Sequence, residues 1–334
     1  MKVTAIVPTY NEERSIGECL TGLLQQRGVD DYEIVVVDGH SRDRTVDVVR
    51  SFPEFGTKIK LVENPRRFQV YAWNIGCRAA QGEYVVLISA HTVYGRHHFQ
   101  RCLEAIERTG ADAVGPVQMA HGEGSLGKAI AWCMSSPLGI GNARFRFTQE
   151  EEEVDSVFSM FFRRDMWEKL GGFDERVAFD EDAEFSYRMR EAGAKIVVSP
   201  AIAVRYAVRG SLRGLSRQMF CYGYWRRFTQ LLHPKDIPLR VLAPPALVAG
   251  LALSVLLLAT PIRFLAPVLP LIYASYVLVG VAGAVPKLGL VSGANVCAVL
   301  PCMHLSYGLG FWRALMSPEQ RMLFGHTASR SALL

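Results

Sequence analysis

The sequence predicts an α/β fold, a mostly parallel sheet with helices on both faces, followed by transmembrane helices. Three observations carry this prediction. Short apolar runs alternate with stretches of helical periodicity from residue 3 to residue 89. Polar clusters follow the apolar runs directly. Charge then vanishes: between Val241 and Trp312 only Arg263 and Lys287 are charged.

The elements read as follows. "VTAIVP" is an apolar run ending at a proline, which suits a buried parallel strand. Residues 13–27 place Ile16, Leu20, Leu23 and Leu24 on one helical face. "YEIVVVDG" is a second strand, "DRTVDVVRSF" a second helix and "KIKLVEN" a third strand. "VYAWNIGCRAAQG" is a third helix, with Gly82 as its stop signal, and "EYVVLIS" is the fourth strand. This order argues for a parallel sheet, and ligands of such sheets sit at the carboxyl ends of the strands. Thr9, Tyr10, Asn11, Asp38 and residues 89–91 therefore border one crevice. "ADAVGP" reads as a strand. Residues 117–148, rich in Gly, Ser and Pro, read as a surface crossing, and the acidic run 150–153 as a solvated loop. "VDSVFSMFFRR" reads as a strand, Asp165 as the cap of a short helix, and "GGFDE" as a turn. "DEDAEFSYRMREAG" is an amphipathic helix ending at Gly193, and "AKIVVSP" a further strand.

The chain divides into residues 1–230 and a membrane region, 231–334. Three apolar spans, about 241–261, 264–285 and 288–312, approach the ~20 residues that a crossing helix needs. A buried helical core is the alternative. Three crossings would carry Arg313, Arg321 and Arg330 away from the cytoplasm, against the positive-inside tendency. Two crossings plus a re-entrant or interfacial segment would keep them inside, and Pro301, His304 and Ser306 mark the third span as the exception. The seven cysteines form no CxxC pair and no signal peptide precedes the first strand, so free thiols in a reducing compartment are expected. The reading is a multi-pass protein of the cell (inner) membrane with its polar domain in the cytoplasm. A net charge of +5 without basic helices or zinc-finger spacing points away from nucleic acid.

Several residues could carry chemistry. "VPTYNEE" sets Pro8, Thr9, Tyr10 and Glu12 after the first strand, and Asn11 could equally cap the helix. In "VDGHSRDRT", Asp38 can accept hydrogen bonds from a base or ribose, and Ser41 or Asp43 could be helix caps. There is no GxGxxG loop, so a nicotinamide cofactor is not expected. The fourth strand runs into Ser89, Ala90 and His91. Asp180, Glu181, Asp182 and Glu184 crowd one helix start, where the helix dipole favours anions and simple capping is the plainer explanation. "RQMFCYGYWRRF" offers Gln218, Tyr222, Trp225, Arg226 and Arg227, either for phosphates or as an interfacial belt.

The two polar strand ends, followed by "AWNIGCRAAQGEYVVL", resemble the family-2 glycosyltransferases, inverting enzymes of GT-A fold that use nucleotide-diphospho-sugars. The resemblance covers about residues 3–230. It is greatest to the bacterial succinoglycan-type glucosyltransferases, through "SAHTVY", "SSPLGIGNARFR", "VDSVFSMFFRRDMWEKLGGFDE", "DEDAEFSYRMREAG" and "MHLSYGLGF". It implies that Thr9, Tyr10, Glu12 and Asp38 hold the base and ribose. Asn74 and Gly76 match the family's N-x-G, and the resemblance implies Asn74, Ser89 and Glu184 as substrate-binding residues. The strand end that usually carries two aspartates for a metal has Ser89 and His91 here. His91 fits the Asp-Ala-His of the subgroup, whereas Ser89 departs from it. Imidazole suits Mn²⁺ better than Mg²⁺, and His91 with donor phosphates would hold the divalent ion; donation of a hydrogen bond to a phosphate is the alternative. The family's base falls on Asp182, and Glu184 matches a second acid. Many members carry Gln-x-x-Arg-Trp near 217–228; the spacing here differs.

The expected function is transfer of a sugar from a nucleotide donor, UDP-linked, to a lipid-linked saccharide at the membrane during exopolysaccharide or cell-surface glycan synthesis. A polyprenyl-phosphate sugar synthase and a non-catalytic nucleotide-sugar-binding membrane subunit are the alternatives. A transporter would need more spans than this tail offers.

Overall fold

The computed structural model describes residues 2–235 and 239–316. Arg321 and Arg330 lie outside the described residues. The first half alternates as expected: β1 (Val3–Thr9), α1 (Ile16–Leu24), β2 (Tyr32–Asp38), α2 (Thr45–Arg50), β3 (Ile59–Glu63), α3 (Gln69–Ala79) and β4 (Tyr84–Leu87). Then follow α4 (His98–Thr109), β5 (Ala113–His121), α5 (Gly124–Met134), α6 (Pro137–Ile140), β6 (Glu152–Glu153), β7 (Phe161–Arg163), α7 (Arg164–Lys169), α8 (Glu181–Glu191) and β8 (Ile196–Ala207). The remaining helices are α9 (Leu212–Leu232), α10 (Leu239–Leu257), α11 (Val268–Leu288), α12 (Leu290–Ala294) and α13 (Val296–Met316).

The eight strands form one sheet in the order β3-β2-β1-β4-β7-β5-β8-β6. β3, β2, β1 and β4 are parallel neighbours, and β7 runs antiparallel to both β4 and β5. β1 and β2 are buried almost throughout, as central parallel strands covered on both faces must be. One face of β1, with Val3, Ala5 and Val7, packs with Leu20 of α1 and Phe99 of α4. The other face receives α3. There a Cβ on Gly76 would stand 2.3 Å from Ile6, so only glycine lets helix and strand approach this closely. Within the sheet, Glu33 is buried but paired with Lys60 at 2.6 Å, and it accepts hydrogen bonds from Thr4 and the Gln81 amide.

Several local expectations are corrected. Gly82 does not stop α3, which ends at Ala79; a Cβ at Gly82 would meet the Thr4 nitrogen at 2.6 Å, so the residue serves contact with β1. Asn11 is not a helix cap: its side-chain oxygen accepts from the Arg42 amide and its own amide donates to Ser41. Asp43, in contrast, does accept the Thr45 amide at the start of α2. Asp165 lies in the first turn of α7 and makes no cap. Residues 117–148 are no irregular crossing: they hold α5 and α6, the latter opened by Pro137 with the Ser136 hydroxyl accepting the Leu138 amide. The acidic run is not free in solvent. Glu151 bonds Arg108 and Ser199, while Glu152 and Glu153 pair with β8. Only Phe161–Arg163 of "VDSVFSMFFRR" is strand, because Ser159 turns the backbone at φ 49°.

Two compact units result. The first comprises residues 1–119 and 147–206 and holds the sheet. The second comprises residues 120–146 and the described chain from 207 on. Residues 120–146 and 207–230, counted above with the polar domain, thus belong with the apolar helices. Among the described residues three helical stretches, Arg240–Leu257, Arg263–Leu288 and Leu290–Met316, are long and apolar enough to cross a membrane. The first two are only 17% buried against protein, so a buried helical core does not describe them; the third is 39% buried. That third stretch lies along α9. The Ser216 and Ser306 hydroxyls meet at 2.8 Å, Cys302 donates to the Leu212 carbonyl, and Gly223 and Gly310 admit the opposing backbone.

Candidate functional site

Register builds the first part of the site. Thr9 and Asp38 are paired neighbours at the carboxyl ends of β1 and β2. Both are buried, and the Thr9 hydroxyl donates to Asp38 Oδ1 at 3.1 Å. Ser41 adds its hydroxyl at 2.6 Å and its amide at 2.9 Å, so the Asp38 carboxylate is aimed by three donors. The Gly39 amide donates to the Thr9 carbonyl, and a Cβ on Gly39 would crowd both that oxygen and Arg67. Glycine here draws the ends of β1, β2 and β3 together. Arg67 then lies 5.9 Å over the Tyr10 ring. Of the five non-glycine residues with positive φ among the described ones, Asn11, His40 and Arg67 follow these three strands and Asp180 precedes α8. Backbone strain of this kind collects where a site over-determines its loops.

The fourth strand end is anchored differently. The Ser89 amide donates to the Tyr94 hydroxyl, and the Ser89 carbonyl accepts from Thr92 and Cys19. His91 is exposed, with Nδ1 3.5 Å from Glu12 Oε1. Burial pushes the Glu12 carboxyl up, but the bonds from His91 and Ser15 outweigh it and hold the group below its usual range. Among the described residues no group of three or more His, Cys, Asp or Glu side chains could hold a metal ion. His91 with Glu12 is too thin a shell to retain one unaided.

The acidic helix reaches the same sheet edge through a line of contacts. The Asn64 amide donates to the Asp38 carbonyl, and Asn64 Nδ2 donates to the Phe68 carbonyl at the start of α3. The Phe68 ring meets Phe179 edge-on at 6.5 Å, and Trp73 Nε1 donates to Glu181 Oε1 at 3.3 Å. Asp182 follows in the first turn of α8, half-buried, with Oδ1 accepting the Ala183 amide. Glu181 is buried, and its carboxyl is pushed up to about 8, first by burial and then by the adjacent Asp182. A protonated Glu181 spares Asp182 a like charge next door.

This shift makes a prediction. Glu181 binds its proton more tightly when folded than at its ordinary value near 4.5, so its stabilisation is complete below that pH and is lost as pH rises through about 8. Glu181→Gln should flatten that slope and hold a higher thermal midpoint than the wild type above pH 8. Parallel melting of the two proteins between pH 5 and 9 checks this; matching slopes would refute it.

Two expected substrate contacts turn out to be internal braces. Asn74 is buried and uses its whole amide: Nδ2 donates to the Phe173 carbonyl and Glu175, and Oδ1 accepts from Trp167 and the Phe173 amide. It pins the "GGFDE" turn. Glu184 is fully buried and bonds Arg188 through both oxygens, at 2.6 and 2.7 Å, while Arg188 also donates to the Leu170 and Gly172 carbonyls. Pro8 and Tyr10 are half-buried at the end of β1 and just beyond it. Gln218, Arg226 and Arg227 lie on α9, in the second unit; Gln218 donates to Tyr222, and Arg227 sits over the Phe311 ring. Arg66 and Arg67, just beyond β3, are further candidates that the motifs alone do not mark. Their signal was a pair of arginines directly after the third strand, in "ENPRRF".

A mostly parallel sheet with Thr9 and Asp38 at its carboxyl edge and helices packed on its faces is the arrangement of a GT-A fold. The description "Glycosyl transferase family 2" matches residues 4–171. The chain belongs to this family and is a glycosyltransferase. It is 28% identical over 324 residues to the succinoglycan biosynthesis protein ExoA of Rhizobium meliloti (strain 1021), covering 95% of this chain and 96% of that one. A dolichyl N-acetyl-alpha-D-glucosaminyl phosphate 3-beta-D-2,3-diacetamido-2,3-dideoxy-beta-D-glucuronosyltransferase of Methanococcus voltae is 27% identical, over 66% of this chain and 71% of its own. The solved mannosyltransferase PcManGT from Pyrobaculum calidifontis, in complex with GDP-Man and Mn²⁺, superposes with a TM-score of 0.60 at 23% identity, over 94% of this chain and 87% of that one.

Proposed function

We propose that the protein is a membrane-bound inverting glycosyltransferase that moves a sugar from a nucleotide-diphospho-sugar, UDP-linked, to a lipid-linked saccharide in exopolysaccharide or cell-surface glycan synthesis. The observation that carries this reading is Asp182, half-buried in the first turn of α8 and tied through Glu181, Trp73 and Phe68 to the edge that holds Asp38. Asp38, Thr9, Tyr10, Pro8 and Glu12 hold the base and ribose. Asp182 takes the proton of the acceptor hydroxyl as it attacks the anomeric carbon from the face opposite the leaving group. Arg67 and His91 meet the departing diphosphate. A divalent cation, Mn²⁺ or Mg²⁺, arriving with the donor would neutralise that diphosphate, with His91 as its protein donor. Similarity to ExoA supports the polysaccharide setting, and the Mn²⁺ of PcManGT the cation.

The polar unit faces the cytoplasm, and the enzyme resides in the inner membrane. α10 and α11 cross the bilayer. α13 does not, because α9, with Arg213, Arg217, Arg226 and Arg227, runs along it, and arginines are costly at the bilayer centre. That leaves α9 and α13 at the interface. Arg226 and Arg227 serve phosphates there, and Gln218 the acceptor.

Membranes containing the protein, given radiolabelled nucleotide-sugars with and without Mn²⁺ or Mg²⁺, should pass label into a lipid extract. Transfer should fall at least tenfold after chelation and return with Mn²⁺. Label that stays with the nucleotide for every donor would overturn the reading in favour of a binding subunit.

A further inference from the structure

His91 is carried on a turn whose base is held on both sides. The Thr92 amide donates to the Ser89 carbonyl and closes residues 89–92, with Ala90 and Thr92 buried and His91 exposed. The Ser89 carbonyl also accepts from the Cys19 thiol, which burial pushes up to about 12 and so keeps protonated. The Ser89 amide donates to the Tyr94 hydroxyl at 2.9 Å. His91 itself makes a long contact with Glu12, at 3.5 Å, so its aim comes mainly from the turn beneath it.

The Tyr94 hydroxyl is the fixed point of this turn. Its ring belongs to the core of the sheet unit and stands edge-on to His98 at 4.8 Å. The hydroxyl meets Ser159 Oγ at 3.1 Å, and Ser159 Oγ lies 2.5 Å from the Leu87 carbonyl. A carbonyl only accepts, so the one hydroxyl hydrogen of Ser159 goes to Leu87, and Tyr94 must donate to Ser159. The hydrogen bonds therefore run in one sense: Ser89 N–H to Tyr94, Tyr94 O–H to Ser159, Ser159 O–H to Leu87. This relay leaves the end of β4 at Ser89 and returns to it at Leu87. Tyr94 and Ser159 are both buried, and every residue of the relay lies in the sheet unit. Ser159 is the fifth of the non-glycine residues with positive φ, and it too serves to hold a strand end of the site.

We infer that Tyr94 is a positioning residue for sugar transfer: through Ser89 and Ser159 its hydroxyl fixes the turn that aims His91 at the donor diphosphate. The inference rests on the transferase reading above.

The test uses the full-length enzyme and compares wild type, Tyr94→Phe, His91→Ala and the double variant. Calorimetry measures UDP binding in the presence of Mn²⁺, and labelled donor measures transfer. Tyr94→Phe keeps the ring in the core and removes one oxygen. It should weaken UDP binding and raise the donor KM roughly fivefold, the scale of one buried hydrogen bond, and leave the acceptor KM unchanged. His91→Ala should cost at least as much. In the double variant the tyrosine change should add less than about twofold, because residues that act through one another are not additive. A general loosening of the core would instead multiply with the histidine change. Should Tyr94→Phe fail to accumulate, Ser159→Ala breaks the relay at its other end and should show the same non-additivity with His91→Ala. Full additivity would overturn the inference, as would wild-type UDP binding in Tyr94→Phe beside an active wild type. A wild type that neither binds UDP nor transfers sugar would refute the transferase reading and this role with it.

Discussion

Asp182→Asn should lower kcat at least a hundredfold while the donor still binds, because a positioned general base supplies about 10²–10⁴ of rate. The substitution keeps the size of the side chain and an oxygen able to accept the Ala183 amide, so the start of α8 is preserved. Steady-state kinetics with labelled donor, together with calorimetry for donor binding, measure both halves. A variant with wild-type kcat would remove Asp182 from the mechanism and favour a phosphate acceptor, which is already ionised and needs no base. A variant that loses donor binding as well would make Asp182 part of the nucleotide pocket.

Arg188→Met should be the most damaging substitution for the fold of the sheet unit. It removes both Arg188 bonds from the fully buried Glu184, and frees the Leu170 and Gly172 carbonyls. Breaking a buried pair on one side costs about 3–5 kcal/mol. The thermal midpoint should therefore fall by more than about 5 °C. Arg188→Lys should recover part of this, since charge returns without the two-pronged geometry. Differential scanning fluorimetry in detergent checks both. A methionine variant as stable as the wild type would mean that Glu184 is held by other groups.

The order of strands and helices was legible because parallel strands are continuous apolar runs, and the residue after each run lands at the ligand edge. Thr9 and Asp38 were found by that rule and prove to be register partners. What the sequence could not convey is the direction of a side chain. Asn74 and Glu184 sit in motif positions, yet both point inward and are consumed by partners far away or one helical turn along. Asn74 bonds Phe173, 99 residues distant, a contact that no local pattern announces. The segment from 117 to 148 was misread for the opposite reason. Its glycines and Pro137 imitate a loop, whereas Pro137 opens a helix, and Gly139 is needed because a Cβ there would strike the Cys133 carbonyl. The arginines after β3 were passed over because loops give no period to follow.

The close seam between α9 and α13 bears on how this enzyme can be handled. Gly223 and Gly310 each lie against the opposite helix's main chain with no room for a methyl group. A gene shortened after residue 235 to obtain a water-soluble catalytic fragment would strip α13 away and bare that glycine seam, with Ser216 and Arg227 losing their partners Ser306 and Phe311. Purification should therefore keep the apolar tail and its detergent.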